Sequence, residues 1–420
     1  MSQQSPKVEL LLERGRLEAR RDQTLDVLIR ITPPEIDAGI GHRPKLNLSI
    51  VLDRSGSMSG EKIERARQAA AYCVDQLLPT DRLSLVIFDD EVEVLIPSQL
   101  AENKASLKER VSHIHARNST ALHEAWVRGG IQVSEHLTEG AINRVLLITD
   151  GLANVGLTNT DEIVTQAMGL FQRGVSTSTI GIGEDFNEDL LMPMAQSAGG
   201  NAWHVERADD MQRIFSVELE GLIAQVAHTV TLGLIPSDGI RLSDVLNDFE
   251  MGETGRYKLP NLQAGSPVDV VAQLRVPAQD VGTKRPLLDL RLGYTPQEAR
   301  SAEVLKQRLE VEFDEPSVVK NLPVNTEVAK AVRLLMNARA RREAMMHMDR
   351  GEYAQAHGVL RSAISASQPL FSSEPAALEV EEERLQLEAL ESSLTDRAQD
   401  KMTRKKLAYE SYSRRQSRKL

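Results

Sequence analysis

The stretch VLDRSGSMSG, Val51 to Gly60, carries more side-chain oxygens than a strand-to-helix turn needs. Asp53, Ser55 and Ser57 fall at alternate positions after an apolar run, so a turn can aim one carboxylate and two hydroxyls at a common point. Oxygen ligands of this kind suit a hard cation such as magnesium. The same residues spell Gly56-x-Ser-x-Gly60, the pattern of a hydrolase nucleophile elbow. That chemistry needs an acid and a histidine base as well. Ser57 or Ser59 fits the nucleophile's position only loosely. Of the later histidines, His113, His115, His123, His136, His204 and His228, none stands at a strand end in such a setting. His204 comes nearest, inside the strand-like NAWHV. Short matches to the elbow pattern arise readily in Gly- and Ser-rich turns, so a serine hydrolase is the alternative and a metal site the expectation.

Two more stretches complete the oxygen set. Thr120 opens the helical NSTALHEAW, and Asp150 closes the apolar RVLLITD. Each alone has a plainer role, because Ser, Thr and Asp after a strand are common turn and helix-cap residues. Together Asp53, Ser55, Ser57, Thr120 and Asp150 offer five oxygen donors, of which only the two aspartates are charged. So few carboxylates would leave a bound ion with residual positive charge and an open or water-filled position. Magnesium is the expected ion, with calcium and manganese as alternatives.

These residues need a scaffold that brings three distant stretches to one edge. From residue 45 to 227 the chain alternates apolar strands (Leu46–Asp53, Leu83–Asp90, Arg144–Asp150, Val175–Gly183, Asn201–Val205) with helical patterns (Glu61–Leu78, Ser106–Ala116, Ala121–Leu137, Asp161–Arg173, Glu188–Ser197, Asp209–Val226). Near-continuous Ile, Leu and Val runs suit a sheet covered on both faces. This is a doubly wound α/β pattern, whose ligands sit at the carboxyl ends of the strands. Residues 1–44 hold two strand-like runs, and residues 228–318 several short strands broken by Gly, Pro, Asp and Asn. They read as one all-β sandwich into which the α/β domain is inserted. Residues 324–420 are helical (Glu327–Met348, Tyr353–Ser367, Ala376–Asp400, Lys401–Arg415). The segment Glu374–Asp396 is acidic, and the last twenty residues carry eight Lys or Arg and one Glu. Pairing of this basic tail with the acidic helix, or with a partner helix, is favoured over RNA or lipid, since only Tyr409 and Tyr412 interleave the charge.

The three motifs IVLDRSGSM, NSTALHEAW and VLLITDG, with 67 residues from Asp53 to Thr120 and 30 more to Asp150, resemble the von Willebrand factor A domain and its metal-ion-dependent adhesion site. STIGIG with the later NEDLLMPMAQSAGGNAWHV is similar to that family's last two strands and the helix between them. The resemblance covers about Lys45–Val226, and the flanks look similar to bacterial, intracellular proteins with this domain set between β strands. By resemblance, the D-x-S-x-S falls on Asp53, Ser55 and Ser57, the threonine on Thr120 and the later aspartate on Asp150, with no departure at these five. What it implies is binding rather than catalysis: the metal takes an Asp or Glu carboxylate of a partner protein, in an adaptor or regulatory subunit. Similar bacterial proteins also point to an AAA-type, MoxR-like ATPase as a partner. Arg54, Met58, Asn118 and Asn154 are the neighbours placed at the rim, each more simply a solvated loop residue. Family members couple the site to their last helix, here Asp209–Val226, which runs straight into the strand His228–Pro236.

The bulk numbers agree with a folded protein of more than one domain. The 420 residues exceed one ordinary domain, and 41% hydrophobic and 26% charged residues allow real cores. A formal charge of −11 argues against non-specific nucleic-acid binding. One cysteine, Cys73, excludes an internal disulfide and lies in a helical apolar pattern. Trp126 and Trp203 sit in apolar patterns and read as core, and Phe88-Asp89-Asp90-Glu91 reads as a solvated turn. The first 22 residues show no apolar h-region and no run of 18 apolar residues occurs, so the expectation is a cytoplasmic protein without a membrane anchor.

Overall fold

The computed structural model describes residues 5–35, 43–117, 120–138, 140–151, 155–297, 299, 301–367, 375–396 and 401–416. The chain divides into two compact units, 39–224 and the pair of segments 1–38 with 225–420.

The second unit begins with β1 (Lys7–Leu12), β2 (Leu17–Glu18) and β3 (Gln23–Thr32). The first unit then runs β4 (Leu46–Asp53), α1 (Glu61–Gln76), β5 (Arg82–Phe88), β6 (Val92–Leu100), α2 (Lys104–Ser112), α3 (Leu122–Ser134), β7 (Ile142–Thr149), α4 (Thr160–Gln172), β8 (Ser176–Ile182), α5 (Glu188–Ser197), β9 (Ala202–Val205) and α6 (Met211–Ile223). Its sheet has the order β6-β5-β4-β7-β8-β9, all parallel but for the antiparallel edge β6. All eight residues of β4 are buried, as a central strand with two covered faces requires. Leu46, Leu48, Ile50 and Leu52 meet α1, α2 and α6 in one core. On the opposite face Asn47 donates to the Val133 carbonyl of α3 at 2.9 Å. There Gly129 lets α3 approach closely, because a Cβ would stand 2.4 Å from Val51 Cγ2. The chain leaves β4 for β5 and β6 on one side and returns to β7 on the other. The strand order thus reverses at β4, which opens a crevice beyond the carboxyl ends of β4 and β7.

The chain re-enters the other unit with β10 (Gln225–Pro236), β11 (Arg241–Val245), β12 (Tyr257–Lys258), β13 (Leu262–Gln263), β14 (Val268–Val276), β15 (Lys284–Pro296) and β16 (Glu303–Asp314). One sheet is β1-β3-β14-β11 and the other β12-β10-β15-β16-β2, with β13 also on β10. Val27, Ile29, Ile31 and Val270 of the first share a core with Leu232, Leu290, Leu292 and Val311 of the second. The first sheet's other face, Leu28 and Val271, packs on Val328, Ala331 and Leu335. Those three belong to α8, since α7 (Pro316–Lys320) precedes α8 (Thr326–Asp349), α9 (Tyr353–Ala366), α10 (Pro375–Asp396) and α11 (Lys401–Arg415). The basic α11 turns inward: Leu407, Tyr409 and Tyr412 are buried, and Arg414 pairs with Glu379 and Glu383 of α10 at 3.1 and 3.0 Å. The expected pairing of basic tail and acidic helix is therefore intramolecular.

Some elements differ from expectation. The edge strand β6 takes residues that carry Pro97 and Glu93, a weak strand pattern that an edge tolerates. The last helix of the α/β unit ends at Ile223 rather than Val226, because Gln225 and Val226 already belong to β10. Among the described residues no helix is long and apolar enough to cross a membrane.

Candidate metal centre

Four of the five expected ligands form one hydrogen-bonded cluster beyond β4 and β7. Asp53 Oδ1 accepts the Ser55 amide at 2.8 Å, and Oδ2 accepts the Thr149 hydroxyl. The Ser55 and Ser57 hydroxyls lie 3.1 Å apart, and Ser57 Oγ donates to Asp150 Oδ1 at 2.7 Å. Ser55, Gly56 and Ser57 can turn so tightly because Gly56–Met58 is a single 3₁₀ turn between β4 and α1. The fifth, Thr120, lies on the same side of Gly151 as Asp53: a Cβ built on that glycine would stand 3.4 Å from Thr120 Oγ1 and 3.8 Å from Asp53 Oδ2.

The Thr120 segment is fastened from below. The Arg54 guanidinium pairs with Asp89 at 3.1 Å, and both side chains are buried. The Arg54 carbonyl accepts the Arg117 amide at 2.6 Å, and the Asp89 carbonyl the Ala121 amide at 2.7 Å. One ion pair thus ties the serine turn to both sides of Thr120. This corrects two expectations: Arg54 is no rim residue, and Asp89 is no solvated turn residue. Met58 is fully buried in the core as well. Asn118 and Asn154 lie outside the described residues. The signal that was available was Arg54 itself, a charge in a turn with an acidic strand end one strand away.

Charge is the centre's main property. Asp53 and Asp150 have no exposed surface. Burial pushes the Asp53 carboxyl up to about 6, against hydrogen bonds from Thr149 and Ser55 that favour its anion, and nearby Asp150 raises it further. The donors that stabilise it are all neutral. Hard oxygens and two buried carboxylates fit a hard divalent ion. Among the described residues no three His, Cys, Asp or Glu side chains form a metal-holding group, so hydroxyls dominate this set. The geometry does not assist an elbow serine. Ser57 bonds a carboxylate and a hydroxyl, Ser59 Oγ donates to the Gly56 carbonyl at 2.7 Å, and His204 Nε2 faces the Gly183 carbonyl at 2.9 Å.

The family model of the von Willebrand factor type A domain matches residues 47–217. The chain carries a von Willebrand factor type A domain. Domains of this family are in general protein-interaction modules. Over 173 residues the chain is 31% identical to the protein sll0103 of the bacterium Synechocystis sp., a match covering 41% of this chain and 40% of that relative. The chain therefore spans about two fifths of that relative's length. The fold likeness reaches beyond the type A domain. A von Willebrand factor type A protein from Catenulispora acidiphila aligns over 94% of this chain and 90% of its own, with TM-score 0.67 and 18% identity. The ArnB paralog VWA2 from Sulfolobus acidocaldarius aligns over 98% of both, with TM-score 0.59 and 17% identity.

Proposed function

We propose that this chain is a metal-dependent protein-interaction module, and not an enzyme. Asp53, Ser55, Ser57, Thr120 and Asp150 would hold one divalent cation, with magnesium favoured by the hydroxyl-rich set. Bound there, the cation would supply a positive centre for an Asp or Glu carboxylate of a partner. A charge-assisted bond of that kind gives strength, while the surrounding surface gives selectivity. The observation that carries this reading is the Asp53–Ser55–Ser57–Asp150 cluster, in which two buried carboxylates are joined through hydroxyls. The type A domain, 45–227, would be inserted in a β-sandwich formed by 1–44 and 228–318, with the helices of 324–420 after it. The shared core of the two outer sheets supports that division. The single cysteine, Cys73, is buried, and burial pushes its thiol up to about 12, which makes it a small core residue rather than a reactive thiol. An adaptor or regulatory role is the natural use of such a module.

The test is a magnesium titration by calorimetry on the wild type and on Asp53→Ala, followed by a pull-down with and without EDTA. The expected outcome is one ion bound by the wild type, none by Asp53→Ala, and release of a partner by EDTA. Equal binding by both proteins, or by neither, would remove this reading.

A further inference from the structure

Beside the expected ligands stands a cation that belongs to the chain. Lys62 is the second residue of α1, and its ammonium donates to Asp150 Oδ2 at 2.5 Å. Asp150 is fully buried, whereas the lysine side chain keeps 32% of its surface in solvent. Gly183, just past β8, lies beside the lysine: a Cβ built there would touch Lys62 Cε and Nζ at an ordinary 3.7 Å. The carboxylates of the centre are therefore treated unequally. Asp150 receives a full positive charge, while Asp53 receives only neutral donors.

We propose that Lys62 is a tethered counter-ion of the metal centre, holding Asp150 when no divalent cation is bound and competing with the cation for that carboxylate. This rests on the metal-centre reading above. Two like charges cannot share a mostly buried carboxylate without cost, since their repulsion grows as solvent is withdrawn. The lysine's flexible stem and its partly exposed position give it a route out to solvent. Affinity for the ion is thereby set lower than the five oxygens alone would give. The metal-free domain in turn keeps one of its two buried carboxylates neutralised, so ion binding becomes a reversible exchange rather than a condition for folding. A second consequence follows from charge. Two aspartates and one divalent ion sum to zero, so a lysine kept nearby leaves the loaded centre with one positive charge to offer a partner's carboxylate.

The test uses the full chain and magnesium alone. Wild type, Lys62→Met and Lys62→Arg are titrated by calorimetry, and each is melted in EDTA. Methionine keeps the stem's packing and removes the charge. The expected result is magnesium binding roughly tenfold tighter in Lys62→Met, a value near wild type in Lys62→Arg, and a lower melting midpoint in EDTA for Lys62→Met only. A merely structural lysine would lower the melting midpoint without tightening the ion. Unchanged or weaker magnesium binding in Lys62→Met, with binding by the wild type intact, overturns the counter-ion and leaves the metal centre standing. No binding by wild type or either variant removes the metal centre and the counter-ion with it.

Discussion

Glu218 on α6 and Asp53 at the end of β4 are both buried carboxylates of one α/β domain, yet their surroundings answer their charge differently. Glu218 accepts Ser178 Oγ at 2.6 Å, Asn201 Nδ2 at 2.6 Å and Trp203 Nε1 at 2.8 Å, and the Arg144 guanidinium stands 3.5 Å away. Arg144 also donates to Ser178 Oγ at 2.6 Å, so charge and hydrogen bonds close into one hub. Asp53 is held by two hydroxyls and an amide, with a second aspartate for a neighbour. The first carboxylate is answered by a cation of the chain, and the second by neutral donors alone. Completeness marks a group that fixes structure, here α6 on β8 and β9. A remaining demand for positive charge marks a group that binds.

The largest effect should come from breaking the complete hub. Glu218→Leu leaves a buried guanidinium without its carboxylate, which costs about 3–5 kcal/mol. A urea unfolding curve should show that loss in its midpoint, and adding Arg144→Met should restore part of it. A cost no larger than that of an ordinary surface substitution would mean that Glu218 is not the anchor of α6.

The incomplete carboxylate should give a smaller effect with a pH signature. The folded state keeps a proton on Asp53 up to about pH 6, whereas the free carboxyl releases it near 3.8. Between these values the unfolded state binds fewer protons, so stability falls as pH rises. Protonation favours the fold fully below the lower value, and the advantage is gone above the upper one. In EDTA the wild type should lose about 3 kcal/mol across this window, an order-of-magnitude figure from the shift of a fully buried group. Asp53→Asn should flatten that slope. An equally steep slope in Asp53→Asn would assign it to other groups.

What was legible beforehand follows from the same contrast. Strand β4 could be read to the residue because it is a mostly apolar run, broken only by Asn47 and Ser49, that ends in a charge. Strand β6 could not, because Pro97 and the charged Glu93 resemble a loop, and only an antiparallel edge makes use of them. The clustering of Asp53, Ser55, Ser57 and Asp150 was legible because their types and order are unusual together. Arg54, Lys62 and Asp89 were not, because a charged residue in a turn or on a first helical turn is solvated in most proteins. Their partners lie 35 residues away for Arg54 and 88 for Lys62, and nothing local announces pairing over such a span. Glu218 was hidden likewise, its charge answered by Arg144 and by polar groups from β8 and β9.

The smallest expected effect separates the two serines of the turn. Ser59 is exposed, and its hydroxyl donates only to the Gly56 carbonyl three residues back, a bond that water can replace. Ser59→Ala should change stability by less than about 0.5 kcal/mol and leave magnesium binding unaltered. Ser57 stands between the Ser55 hydroxyl and Asp150, so Ser57→Ala removes the link between the carboxylates. Magnesium binding should then be lost. A nucleophile elbow centred on Ser59 predicts the reverse, with Ser59→Ala abolishing a metal-independent ester hydrolysis. Measuring both variants for magnesium binding and for hydrolysis of a simple ester in EDTA decides between a charge-seeking cluster and a reactive hydroxyl. The cluster stands only if Ser59 is silent in both assays and Ser57 is not silent in the first.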